Sequence, residues 1–450
     1  MGIINARRLT LIVSCWSVLL ALAAGARLPT IHAGAAFAPS PWEVFAPAPS
    51  YNEAAAPAPA PGAGEELEKG RPAGGFVRTN GTRFMAGGQP FYSNGFNAYW
   101  LMYMGSSPAD RSKVVDTLDQ ASRLGATLVR TWAFNDGGSN RPLQITPGVY
   151  NEDTFVGLDF VIAEAKKRGV YLILSLVNNW SDFGGKRQYV QWARDQGHYL
   201  GSDEDFFTDG LTQRFYMNHI KRVLTRVNSF TGVAYKDEPI IFAWELMNEP
   251  RLQSDLTGKT MQGWVTLMSA YVKSIDSNHM VEIGLEGFYG ESVPDRKKFN
   301  PGYTVGTDFI SNNRIPTIDF ATIHSYPDQW VSASSNEAQV DFMKKWMASH
   351  IEDAAKELQK PLLVSEFGWS ARSNGYMVAT RDDYFRMVYD AIYASVQDGG
   401  PCAGGLFWQV MAPGMNGWTD GYEVVLESSP TTAAIISQEC AKIDGFMPVA

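Results

Sequence analysis

From Phe91 onward the chain alternates between two patterns. Short apolar or β-branched runs begin near Phe91, Thr127, Tyr171, Ile240, Met280, Ile318, Pro361 and Gly404. Longer stretches with helical spacing of apolar positions follow them, at 111–124, 153–168, 209–229, 258–277, 336–358, 380–399 and 431–444. A short continuous apolar run reads as a strand buried on both faces, and a 3.6-residue periodicity as an amphipathic helix. The fifth run, at Met280, has the least evident helix behind it. Strand-then-helix units in sequence predict an α/β chain, a (β/α)₈ TIM barrel of eight parallel strands. An open doubly wound sheet is the alternative. No G-x-G-x-x-G or P-loop follows the first run, which removes the usual function of that alternative. Ahead of the barrel, FVRTNGTRFMAGGQPF (76–91) reads as an N-terminal hairpin turning at Asn80-Gly81 and suited to plug the barrel floor. After the third strand, Asn178 to Gly210 forms a long loop, of the kind that builds a cleft.

The pattern is absent before Phe76. Residues 27–75 are rich in Ala, Pro, Gly and Glu with almost nothing to bury, which predicts a disordered or polyproline-like linker. Before it, Arg7 and Arg8 precede the apolar run Leu9–Ala24, and Ala24-Gly25-Ala26 offers a small-x-small cleavage site. Residues 1–26 therefore read as a secretory signal, with an uncleaved anchor as the runner-up. The expected division is signal 1–26, linker 27–75 and a barrel domain 76–450. The expected location is extracellular, in the cell wall, with no membrane contact after signal removal. Losing the signal also removes Cys15. Cys402 and Cys440 remain, an even pair in an oxidising compartment, and a Cys402–Cys440 disulfide is expected, two buried free thiols being the alternative. The sequon at Asn80 sits in a turn and is expected to carry glycan. The sequon at Asn179 falls at a strand end facing the site and is expected to stay unmodified.

A net charge of −9 without a long basic run argues against nucleic acid or an anionic membrane as partner. The six histidines are scattered with no H-x₃-H pair, so neither a metal nor a cofactor is expected. The chain is expected to act as a monomer.

The strand ends carry the chemistry. IIFAWELMNEP (240–250) is apolar until Asn248 and Glu249, and PLLVSEFG (361–368) is apolar until Glu366. Other strand ends supply Arg130, Trp132, His324, Tyr326 and Trp408. In a (β/α)₈ barrel the carboxyl ends of the strands share one face, so these residues converge. Two carboxyl groups facing each other roughly 5–5.5 Å apart can break a glycosidic bond with retention, one as nucleophile and one as acid then base. Arg130 is the cation that would keep the nucleophile ionised, Tyr326 would orient it, and Trp408 would floor the sugar. Trp180, Tyr189, Trp192 and Tyr199 in the long loop are candidate sugar platforms. Glu286 is a further carboxylate at the end of the fifth strand, a substrate contact or a support for the pair.

At GFNAYW (95–100), VRTWAFND (129–136), WELMNEP (244–250), HSYPDQW (324–330), SEFGW (365–369) and GGLFWQ (404–409) the chain resembles glycoside hydrolase family 5. Within that family it is most similar to secreted plant endo-β-1,4-mannanases. The resemblance runs from about Phe76 to the C-terminus. It implies Glu249 as acid/base, Glu366 as nucleophile, and Asn248 as partner of the sugar 2-hydroxyl. Arg130, His324, Tyr326 and Trp408 match the family's remaining site positions, and Trp132, at the same strand end as Arg130, is a further candidate substrate contact with a core residue as the alternative. The implied activity is retaining endo-hydrolysis of mannan, glucomannan and galactomannan by double displacement. A β-1,4-glucanase, a mannan transglycosylase and a non-catalytic wall-binding protein are the alternatives.

Overall fold

The computed structural model describes residues 75–138, 140–444 and 446. The expected signal and all of the expected linker except Gly75 lie outside the described residues. The first sheet is antiparallel and three-stranded: β1 (Arg78–Asn80), β2 (Arg83–Ala86) and β3 (Gln89–Phe91). Gly81, in the first turn, sits at φ +56, in the left-handed region that glycine enters without a Cβ clash. Phe84 of β2 packs edge-on against Phe242 and Phe320, each at 5.1 Å, and Phe91 against Tyr171 at 5.3 Å. Those partners lie at or just before the amino ends of barrel strands, so the sheet plugs the floor, as expected. Burying one such ring fully is worth roughly 1.5–3 kcal/mol.

The barrel starts with β4 (Gly95–Asn97) and β5 (Leu128–Trp132). A small hairpin, β6 (Gln144–Thr146) and β7 (Val149–Tyr150), follows. The remaining barrel strands are β8 (Tyr171–Ser175), β9 (Ile241–Glu245), β10 (Met280–Glu282), β11 (Ala321–Ser325), β12 (Leu362–Phe367) and β13 (Cys402–Phe407). Their order is β10-β9-β8-β5-β4-β13-β12-β11, every pairing parallel. Between β10 and β11, single bonds replace a ladder: Asp319 N–H donates to Val281 O at 2.8 Å, and His324 N–H to Glu286 O at 2.9 Å. The result is a nearly closed TIM barrel. Every residue of the eight strands is buried, inside the barrel or under the helices, which is why they read as unbroken apolar runs.

The helices fall where periodicity puts them, for example Arg111–Arg123, Glu152–Arg168, Lys259–Ile275 and Val378–Gln397. Two segments differ. The long loop after the third barrel strand contains a helix, Gly185–Asp195, and a 3₁₀ turn, Asp203–Phe207, opened by a Ser202/Asp205 capping box. After β10 come only a 3₁₀ turn at Pro294–Phe299 and a short helix, Phe309–Asn313. Proline and glycine at Pro294, Pro301 and Gly302 break the periodicity there.

The expected disulfide is corrected by the structure. Cys402 opens β13 and Cys440 lies in the last helix, Pro430–Asp444, and both are buried free thiols. An even cysteine count says nothing about distance, and a disulfide needs Cβ atoms about 3.8 Å apart. Each cysteine has its own seat. Cys402 N–H donates to Ser395 Oγ at 3.1 Å, while Cys440 packs at the Gly125 turn, where an added Cβ would stand 3.1 Å from the Cys440 Cβ. Burial pushes the Cys402 thiol up to about 12, so it acts as a small apolar side chain. Among the described residues no helix is long and apolar enough to cross a membrane.

Candidate active site

The carboxyl ends of the strands surround an open cleft of about 600 Å³. Glu249, Glu366, Asn248, Trp132, Tyr326 and Trp408 line it, as expected. Arg130 and His324 do not. Both are fully buried beneath the cleft and reach it only through other side chains.

Arg130 is the hub. Its Nε and Nη2 donate to the two oxygens of Glu245 at 2.5 and 2.8 Å. Nη1 donates to Glu366 Oε1 at 2.6 Å and to Asn97 Oδ1 at 3.0 Å. Nη2 also donates to Asn248 Oδ1 at 2.6 Å. That fixes the amide: Asn248 Nδ2 donates to Asn178 Oδ1 at 2.9 Å. Tyr326 Oη donates to the other oxygen of Glu366 at 2.6 Å.

Glu249 stands across from this group. Its backbone is at φ +51, a left-handed conformation for a residue with a Cβ, costing of order 1–3 kcal/mol. The turn is clamped by Asn248 N–H donating to Val177 O at 2.9 Å and Glu249 N–H to Gly284 O at 3.0 Å. Trp180 Nε1 donates to Glu249 Oε2 at 2.6 Å, and His324 Nδ1 lies 2.6 Å from Glu249 Oε1. His324 Nδ1 is also 3.5 Å from Glu366 Oε2. A register shift between Ile323 and His324 sets His324 beside Glu366 on the neighbouring strand. One oxygen of each glutamate and His324 Nδ1 all lie within 4.8 Å of one another.

Burial works against ionisation at both glutamates, and their neighbours separate them. Hydrogen bonds from His324 and Trp180 overcome burial and take Glu249 to about 2. Burial raises Glu366, with His324 and Arg130 pulling the other way. Glu366 and Glu249 hold His324 above its ordinary value despite burial. These directions describe a site in which the proton between His324 Nδ1 and Glu249 Oε1 sits on His324. If that proton crosses the 2.6 Å gap to Glu249, Glu249 becomes an acid and His324 neutral. Glu366 keeps the obligate donor Arg130 on Oε1 and the Tyr326 hydroxyl on Oε2 either way, and both bonds favour its ionised form.

Several cleft residues escaped the sequence reading. Arg251 grips Glu286 with both ends, Nε–Oε2 at 2.7 Å and Nη2–Oε1 at 2.5 Å, and lies 5.0 Å over the Trp180 ring. Burial and Glu249 push Glu286 to about 7 even so. Asp420 accepts from Trp408 Nε1 at 2.6 Å and Gln409 Nε2 at 2.7 Å, and Tyr99 stacks on Trp408 at 5.6 Å. Arg251 directly follows the Asn-Glu-Pro stretch, a signal available in sequence. Asp420 sits in an irregular tail with none. Of the expected platforms, only Trp180 lines the cleft. Tyr189 and Trp192 are buried in the core, and Tyr199 is 93% exposed outside the cleft. The Asn179 side chain is occupied, accepting from Lys186 Nζ at 2.6 Å and Arg251 N–H at 3.1 Å, whereas Asn80 is exposed in its turn.

The family description "GH family 5 beta-mannosidase-like" matches residues 74–419. One chain from Oryza sativa subsp. japonica is 72% identical over 375 residues, covering 83% of this chain and 91% of its own length. Another from that plant, mannan endo-1,4-beta-mannosidase 1, is 56% identical over 372 residues, 82% of this chain and 86% of its own. Among solved structures, the endo-beta-1,4-mannanase of Thermotoga petrophila superposes with a TM-score of 0.69 at 31% identity, over 80% of this chain and 78% of that one.

Proposed function

The chain belongs to glycoside hydrolase family 5, and from that premise we propose that it is a retaining endo-β-1,4-mannanase working through Glu366 and Glu249. One observation carries the mechanism: two carboxyl groups face each other across the cleft floor within 4.8 Å, one held by Arg130 and Tyr326 and the other by His324 and Trp180. That separation goes with the short spacing of retaining pairs, not with the roughly 6.5–9.5 Å of inverting ones. Glu366 attacks the anomeric carbon while Glu249 gives its proton to the leaving oxygen. Glu249 then takes a proton from the water that attacks the glycosyl-enzyme and frees Glu366. Asn248, fixed by Arg130 and Asn178, is set to bind a sugar hydroxyl beside the bond being cut, and Trp132, Tyr326 and Trp408 shape the cleft around the ring. The relatives' names support mannan as the substrate, and glucomannan and galactomannan are proposed with it because they carry the same β-1,4-mannosidic bond. The domain reading goes with this: 76–450 as the catalytic domain, behind a secretory signal 1–26 and a linker 27–75. Secretion to the cell wall, a glycan at Asn80, and action as a monomer complete the proposal.

The test is product release from linear mannan, glucomannan, galactomannan and a soluble cellulose derivative. Short mannose oligomers and a rapid viscosity fall are expected from the mannans. Cleavage of the cellulose derivative alone would overturn the substrate. Glu366→Ala should abolish hydrolysis while oligosaccharide binding stays measurable, and unchanged turnover would sink the mechanism. Glu249→Gln should lose roughly 10²–10⁴ in kcat, the ordinary worth of a general acid/base.

A further inference from the structure

Behind the site, Glu245 and Glu282 end β9 and β10 and are direct register partners. Cross-strand partners project to the same side of a sheet, and neither residue has any exposure to water. Ionising one of two adjacent buried carboxyl groups disfavours ionising the other. The hydrogen bonds say which one is ionised. Glu245 takes the Arg130 guanidinium on both oxygens. Glu282 Oε2 accepts from Gly284 N–H at 2.5 Å and from Thr322 Oγ1 at 3.2 Å. Glu282 Oε1 is buried and has no donor. As register partners the two buried carboxyl groups lie side by side, and a hydrogen bond between them takes a proton on one of them. The charged groups acting on Glu282 are Glu245 from β9 and Arg130 from β5. On β11, its contact is the neutral Thr322.

We propose that Glu282 keeps its own proton on Oε1 and donates it to Glu245, so that Glu245 holds Arg130 at the height where it meets Glu366 and Asn248. Glu282 is thus a positioning residue, one strand behind the reacting groups. Burial and the neighbouring Glu245 both favour its neutral form. Without that donor, the Glu245 carboxylate loses its partner on the Glu282 side, Arg130 shifts toward the floor, and Glu366 loses the alignment of its Oε1 bond.

The test uses the full chain and two variants. In Glu282→Gln the amide N–H replaces the acid O–H, and kcat on soluble mannan should stay within about threefold of the parent, because one donor is exchanged for another. In Glu282→Met, of similar volume but without a donor, kcat should fall roughly tenfold to a hundredfold with KM nearly unchanged, the cost of one unmade buried hydrogen bond. The infrared difference spectrum of parent minus Glu282→Gln at neutral pH should show a protonated-carboxyl band. A Glu282→Gln enzyme as crippled as Glu282→Met would overturn the proposal. So would parental kcat in Glu282→Met, or a difference spectrum without that band. If Glu282→Met does not fold, the Glu282→Gln kinetics and the spectrum still decide. The activity arm rests on the mannanase reading. The infrared arm does not, so a chain that cuts no mannan would fail the first and leave the second intact.

Discussion

Trp180 Nε1 donates to Glu249 Oε2 at 2.6 Å, and this bond helps hold the carboxyl near 2 in the resting site. Glu249 must carry a proton to act as an acid. Removing a donor that favours the charged form raises the pKa, so Trp180→Phe should move the alkaline limb of kcat/KM to higher pH. It should also cost about fivefold to twentyfold in kcat at the optimum, from the lost hydrogen bond. A pH–rate profile of both enzymes checks both, and an unmoved alkaline limb would refute the role given to Trp180. At this scale much was legible. Glu249, Glu366 and Asn248 announce themselves as polar groups closing apolar strands. The partnership of Trp180 with Glu249 was not, because 69 residues separate them and only the barrel brings them together.

Loops and strands must present those residues. Gly184, at φ +91, enters the helix Gly185–Asp195, and a Cβ there would lie 2.0 Å from the Asp136 carbonyl oxygen. Asp136 N–H meanwhile donates to Phe183 O at 2.8 Å, tying the two loops together. Gly184→Ala should therefore destabilise the fold by about 1–3 kcal/mol and disturb the seat of Trp180. Denaturant titration measures the first effect and kcat the second, and a variant as stable as the parent would show that the tie is dispensable. A Gly-Gly pair is a turn signal in any sequence. The reason for this one, a backbone approach from the preceding strand's loop, is a tertiary fact. The same holds for the shift at Ile323/His324, since apolar alternation gives no hint of a bulge.

Across the whole molecule, the plugged barrel has its own core and its own site. A chain beginning at Gly75 should therefore fold and keep kcat/KM on mannan within about twofold, since loop-free termini add little to a packed domain. Loss of activity in that chain would show that the preceding segment takes part in the fold or the site. Stability should also depend on pH through His219. It is fully buried, and burial pushes its imidazole down to about 4. In an unfolded chain the value is about 6.5. Between the two, the unfolded chain binds more protons, so stability is present above about 6.5 and is lost as pH falls toward about 4, by at most ~3 kcal/mol. Denaturation midpoints at pH 7 and pH 5 should differ in that direction, and His219→Gln should shrink the difference; an equal difference in both would assign the effect elsewhere.

The sequence alone determined the barrel, its plug, most helix positions and the two glutamates. All of these rest on local regularities: apolar periodicity, turn residues, and polar groups closing apolar strands. Tertiary structure decided which neighbours act on those groups. It set Arg130 and His324 beneath the cleft, paired Arg251 with Glu286, placed Asp420 under Trp408 and kept Cys402 and Cys440 apart. Such facts depend on distances between segments far apart in the chain. Residue type and spacing say what a side chain can bond to, and only the closed fold says what lies within reach.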